Sequence, residues 1–203
     1  MFNPRDSLSI LVPLLLSATL IAGCAGTGTS GSAGGAVASS DVEKKRATLR
    51  KLRDDALVDF YETKPGIKAE VEGAVGYAVF DGSQVNLVLF VGGLGGGILV
   101  DNKTKKETFM KMTRVGTGPG VGYKAFRQLM VFKDRSLFET FQTVGADVGA
   151  SADATMKIGG KGVAIDPNTS FNPLLSVYQI TDRGALLQAN WGGVAYLPDA
   201  ALN

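Results

Sequence analysis

The chemistry open to this chain is bounded first by what it lacks. Among 203 residues there is no histidine and one cysteine, Cys24. Without histidine there is no Ser-His-Asp or Cys-His nucleophile pair and no zinc site built on Cys and His. A single cysteine forms no intramolecular disulfide. Glycine is abundant at 27 residues, about twice the usual share of ~7%, and its clusters invite comparison with phosphate cradles. Gly92-Gly-Leu-Gly-Gly-Gly97 fails the G-x-G-x-x-G spacing: counted from Gly93, the last position is Ile98. Gly116-Thr-Gly-Pro-Gly-Val-Gly122 fails likewise, and Gly160-Lys161 is followed by Gly162 rather than Ser or Thr. Neither run leads into the helix whose N–H groups a cradle uses. Asp147 and Asp153 read as solvent-facing strand acids rather than a hydrolytic pair, and no Asp-x-Asp-x-Asp-Gly calcium loop occurs. The sequence nominates no catalytic residue, no metal and no cofactor. With 21 basic against 19 acidic residues, no net field points to nucleic acid.

Cys24 is the one reactive side chain with a telling position. Arg5 opens a short positive start, an apolar core runs from Leu8 to Leu20 with Pro13 inside it, and Leu20-Ile-Ala-Gly-Cys24 follows. The core is shorter than the ~20 residues that span a bilayer, so residues 1–23 are expected to be an export signal. The last five residues resemble the lipobox of bacterial lipoproteins, in which the cysteine becomes a lipid-modified N-terminus. That resemblance implies lipidation at Cys24. Ala25 in place of aspartate implies passage to the outer membrane, with the domain facing the periplasm. Residues 24–40 have neither charge nor a large side chain and are expected to be a flexible tether, leaving 41–203 as one folded domain.

The remaining candidates are basic. Ser40-Asp-Val-Glu43 fits a capping box and predicts a helix to about Glu62. Leu49, Leu52, Ala56 and Phe60 share one face of it. Arg46, Arg50 and Arg53 border that face on one flank, with Lys44 and Lys51 near the other. An apolar stripe with basic borders suits an anionic membrane surface, because long basic side chains snorkel. The alternative is a helix packed on its own sheet under a charged coat, with pairs such as Arg50–Asp54 and Lys51–Asp55. A second basic set, Lys103, Lys105 and Lys106, lies in a turn followed by Lys111 and Arg114. It reads either as a guard against strand pairing or as a contact for anionic headgroups.

The elements that hold these residues are mainly strands. Lys64-Pro65-Gly66 stops the first helix and starts a short one to Gly73. Tyr77-Ala-Val-Phe80 reads as a short strand, Asp81-Gly82 as a turn, and 84–90 as an alternating strand before the glycine run. Strand-like segments recur at 107–115, 121–132, 146–158, 161–165, 174–180, 184–191 and 193–197. A second capping box, Ser136-Leu-Phe-Glu139, starts a helix that points Leu137, Phe138 and Phe141 inward. The pattern predicts an α+β fold: N-terminal helices on a glycine-rich, mainly antiparallel, curved or barrel-like sheet. The glycines are expected to permit bends, bulges and close strand approach.

Three blocks in order carry a family resemblance. Gly76-Tyr-Ala-Val-Phe80 with Val91-Gly-Gly-Leu-Gly-Gly-Gly-Ile-Leu99 resembles the opening of the SYLF domain. Gly118-Pro-Gly-Val-Gly-Tyr123 with Leu129-Met-Val-Phe132 looks like its middle. Tyr178-Gln-Ile-Thr-Asp-Arg-Gly-Ala-Leu186 with Gln188-Ala-Asn-Trp-Gly-Gly193 looks like its close. The resemblance covers roughly residues 45–200. Asp81 departs from it, standing where many members have proline. Members bind membrane lipids, phosphoinositides in eukaryotic proteins, and some bind actin. The resemblance implies a non-catalytic domain that binds anionic phospholipid headgroups. The alternative is a structural lipoprotein of the envelope that docks a protein partner.

Overall fold

The computed structural model describes residues 33–148, 155–158, 161–164, 173–183, 186–188 and 191–203. Cys24, the expected signal segment and residues 25–32 of the expected tether lie outside them. Helix α1 (Ala33–Thr63) begins inside the stretch read as tether, so Ser40 is mid-helix and its capping box does not start the element. Helix α2 (Gly66–Gly73) follows Pro65 as expected, burying Ile67 and Val71. Helix α3 (Arg135–Val144) starts two residues before the sequence reading. Asp134 is its N-cap, and the carboxylate accepts from the Leu137 N–H at 2.8 Å. That is the ordinary way to satisfy an orphan donor at a helix start. Leu137, Phe138 and Phe141 are buried, as their spacing predicts.

Among the described residues the sheet has eight strands: β1 (Gly76–Asp101), β2 (Glu107–Phe132), β3 (Ala146–Val148), β4 (Thr155–Ile158), β5 (Lys161–Ala164), β6 (Leu175–Arg183), β7 (Leu186–Gln188) and β8 (Trp191–Pro198). Pairing runs β1-β2-β8-β3-β4-β5, with β6 and β7 also on β2. Every pair is antiparallel. The α+β class and the helix-then-sheet order match the sequence reading. The sheet is not closed: its path runs from β1 to β5 without returning to its start.

The main surprise is strand length. Asp81-Gly82 is no turn: Asp81 pairs with Arg127 and Gly82 with Phe126, inside one strand of 26 residues. β1 and β2 form a single long ribbon that doubles back near its middle. The bend lies where the register slips between Val88 and Phe90, opposite Gly116–Gly122. Behind it the two halves of β1 run antiparallel in close approach. A Cβ at Gly93, Gly95 or Gly97 would lie under 3.0 Å from the carbonyl oxygen of Ser83, Asp81 or Val79 respectively. Glycine at every second position of a strand clears one face, and here that face receives another stretch of backbone.

Inside the folded ribbon, Ala78, Phe80, Leu99, Met110, Met112, Phe126, Met130 and Phe132 pack with the three apolar residues of α3 and with Tyr196. Phe132 and Phe141 rings meet at 5.0 Å, and Phe80 and Tyr196 at 4.8 Å. Helices α1 and α2 cover the outer face: Ala56, Phe60, Ile67 and Val71 pack on Val79, Leu129 and Val131. Leu49 joins Ile98, Val100 and Phe109.

Candidate functional site

The sequence-nominated cations fall into two sets at the base of the ribbon. Arg46 Nε donates to the Leu202 carbonyl at 2.8 Å. Arg50 Nε donates to Glu107 Oε2 at 2.7 Å and Arg53 Nη1 to Glu107 Oε1 at 2.6 Å. Arg50 also reaches Glu43, rather than Asp54, at 2.9 Å. The guanidiniums of Arg46 and Arg50 lie over the Phe109 ring. Burial alone pushes the Glu107 carboxyl up, but the hydrogen bonds from Arg50 and Arg53 outweigh it and hold the group below its usual range. The arginine ridge is therefore drawn onto the chain's own sheet by a fork of charge-assisted bonds. Glu107 was the residue to watch; it follows the lysine turn directly, and nothing local in the sequence marks it as the ridge's partner.

The lysines face outward. Lys44 lies 3.7 Å from Asp41 and Lys51 2.7 Å from Asp55, both on the exposed surface of α1. Lys103, Lys105 and Lys106 are exposed in the β1–β2 turn. That turn is pinned by Asn102, whose side-chain amide donates to the Val71 and Ala74 carbonyls at 2.6 and 3.0 Å. Ridge and turn thus share one neighbourhood around Glu107 and Phe109.

The other end of the ribbon holds a feature the sequence reading missed. Leu87, Val88, Leu89, Phe90, Leu94, Val115 and Val121 are between 56% and 69% exposed. Val85 and Tyr123 join them as a direct cross-strand pair, as do Leu87 and Val121. Val88 sits at φ +58, a conformation that costs a β-branched residue ~1–2 kcal/mol. Monomeric soluble proteins rarely expose contiguous apolar surface on this scale without a use for it. The positions facing inward here are polar: Gln84 and Asn86 are each 1% exposed, and Gln84 Nε2 donates to Asn86 Oδ1 at 2.8 Å. Alternation along β1 therefore inverts between Phe80 and Leu87. The signal was present in the sequence as Gln84-Val-Asn-Leu, but Val85, Leu87 and Leu89 read equally well as a core face.

A groove of about 430 Å³ beside the apex is lined by Asp81, Leu94, Tyr123, Arg127 and Asp182. Arg127 is occupied there by Asp59 and by Asp182, the latter at 3.3 Å. Burial pushes the Asp81 carboxyl up. Elsewhere Glu70 receives Ser176 Oγ at 2.5 Å, Lys133 Nζ at 2.9 Å and the Tyr178 hydroxyl. Burial raises that carboxyl, and the three donors bring it below its usual value. It is saturated with donors and ties α2 to β6. Among the described residues no cluster of His, Cys, Asp or Glu could hold a metal ion. Among them, too, no helix is long and apolar enough to cross a membrane.

Comparison with known proteins now adds a relative. The chain is similar to Beta cell expansion factor A of Aeromonas veronii. The two are 34% identical over 163 residues, which is 79% of this chain. The chain spans 59% of the length of that curated relative. No family model matches this chain.

Proposed function

We propose that this chain is a SYLF-domain lipoprotein whose folded domain binds membrane lipid without catalysing a reaction. The ordered SYLF-like blocks and the likeness to Beta cell expansion factor A support the family reading. The observation that carries the lipid reading is the inverted apex: polar residues inside and aliphatic ones outside, the reverse of a water-soluble fold. That is the side-chain order of strands that face hydrocarbon. The apex is the insertion surface. The exposed lysines Lys44, Lys51, Lys103, Lys105 and Lys106 offer a second, separate contact for anionic headgroups, while Arg46, Arg50 and Arg53 serve mainly to clamp α1 to the sheet. The lysine turn lies roughly 40 Å along β1 from the bend at ~3.3 Å per residue, so one flat bilayer meets the apex or the turn first, not both. Acylation of Cys24, with the domain on the periplasmic side of the outer membrane, keeps the apex near its target.

The test uses the full-length chain carrying Cys24→Ser, so that no acyl anchor masks intrinsic affinity. Vesicle co-sedimentation compares it with the same chain carrying Leu87→Ser, Leu89→Ser and Phe90→Ser. The expected result is loss of sedimentation with an unchanged circular dichroism spectrum. Equal sedimentation of the two chains overturns the apex assignment. If neither chain sediments with any lipid, the alternative gains: an envelope protein is the partner of the apolar surface.

A further inference from the structure

Among the described residues, the inner face beneath the apex gathers two cations and no acid. Gly93 is the meeting point: a Cβ built there would lie 3.1 Å from Arg114 Cβ and 3.6 Å from Gln84 Cα. Gln84 in turn pairs directly with Lys124 across the β1–β2 ladder, and Asn86 follows on the same inward face. Arg114 Nε is buried with no hydrogen-bond partner among the described residues. Lys124 Nζ lies 4.9 Å over the Phe126 ring. Among the described residues neither cation has an ion-pair partner, although twelve other pairs form across the fold.

Such an arrangement is costly as it stands. A partly buried guanidinium without an acceptor loses hydration without compensation, and a second cation beside it adds repulsion. Burial lowers the pKa of both groups, and for Lys124 the nearby Arg114 lowers it further. An anion with several acceptor oxygens relieves all of these costs at once.

We propose that Arg114 and Lys124, on the inward face they share with Gln84 and Asn86, form a binding site for one phosphate group. Arg114 supplies a planar fork of donors suited to phosphate oxygens. Lys124 supplies a point charge. The phosphate comes either from a phospholipid headgroup drawn in under the inserted apex or from free phosphate. The lipid source rests on the apex reading above; the site itself does not.

The experiment again uses the full chain with Cys24→Ser, alone and with Lys124→Gln, Arg114→Gln or Lys124→Arg added. Each is melted in inorganic phosphate and in chloride at matched ionic strength. Each is also titrated with phosphatidylcholine vesicles and with mixed phosphatidylcholine–phosphatidylglycerol vesicles. Each lost cation is expected to weaken binding to the mixed vesicles about fivefold, with Lys124→Arg restoring the wild-type value. A melting shift in phosphate that disappears in Lys124→Gln supports the site with free phosphate as ligand. No phosphate shift, with the mixed-vesicle preference still lost in Lys124→Gln, supports the site with a lipid-borne phosphate. Neither a phosphate shift nor any effect of Lys124→Gln on mixed vesicles overturns the proposal. Failure of the apex reading shows separately, as unchanged binding of the serine variants to neutral vesicles. Where Arg114→Gln does not fold, the partly exposed Lys124 carries the test alone.

Discussion

The two ends of the folded ribbon obey opposite rules. At the base, Phe80, Leu99, Met130 and Phe132 point inward and helices cover the other face, so almost every apolar side chain is removed from water. At the apex the same two strands turn Gln84 and Asn86 inward and leave Leu87, Leu89 and Phe90 in solvent. Both ends are antiparallel pairs of β1 and β2, and the register slips only at the apex, between Val88 and Phe90. The difference lies in which side chains occupy the two faces. It teaches that stability is concentrated at the base, and that the apex is kept for contact with something other than water.

The largest effect expected from that contrast is at Phe80, wholly buried and packed on Phe141 and Tyr196. Phe80→Ala should cost about 3–5 kcal/mol in urea unfolding. Leu87→Ala, of comparable apolar size but at the exposed apex, should change stability by less than about 0.5 kcal/mol. Similar costs for the two would break the comparison outright.

How far this could be seen in advance follows from the same residues. Helix spacing was legible because Leu49, Leu52, Ala56 and Phe60 repeat with the helical period, and α3 showed its inward face through Leu137, Phe138 and Phe141. The turn at Asp81-Gly82 was misread because local turn chemistry there is overridden by cross-strand pairing with Arg127 and Phe126. The partner of the arginine ridge was not legible for a related reason: Glu107 is 54 residues from Arg53 in sequence, and only the fold brings them together. The alternating glycines at 93, 95 and 97 hinted at close approach, but what approaches them is the same strand returning, which no local pattern records. The apex was hidden because alternation alone states a face and not which side of it is wet.

A second test sharpens the account of the base. Asp101 caps the β1–β2 turn, accepting from the Lys103 and Thr104 backbone N–H groups at 2.8 and 3.1 Å and from Arg135. The Arg135 hydrogen bond, with the turn N–H groups, outweighs burial and holds the carboxyl down to about 2. A depressed folded-state value means that the contribution is fully present above the unfolded value of ~3.9 and is lost as pH falls through about 2. Thermal melts between these limits should therefore fall more steeply for the wild type than for Asp101→Asn. At neutral pH the variant should be less stable by about 1–2 kcal/mol. Parallel pH profiles would remove Asp101 from the base's stabilising set.

A third concerns strain at the bend. Val88 holds φ +58 with its side chain 67% exposed, so it gives up backbone energy without gaining burial. Glycine relieves that strain and returns part of the gain as unfolded-state entropy. Val88→Gly should raise stability by about 0.5–1 kcal/mol. A loss of stability would mean that the exposed valine packs against something in solution, a second copy included.

The smallest effect on stability is the most informative about use. Leu89→Ser with Phe90→Ser removes two large apolar side chains, yet neither contributes to a buried cluster. In water the change should leave the melting temperature within the shift that about 0.5 kcal/mol produces, while solubility rises. Maintaining two exposed apolar groups carries a cost in aggregation and returns nothing to the isolated fold, so a residue pair that is neutral for stability must be justified by what it meets. If the double variant instead unfolds at markedly lower temperature, the apex is part of the core by some packing across the bend. The inversion between the two ends would then be a matter of exposure alone. If stability holds and vesicle binding falls, each end of the ribbon has a separate role: the base maintains the fold, and the apex makes the contact.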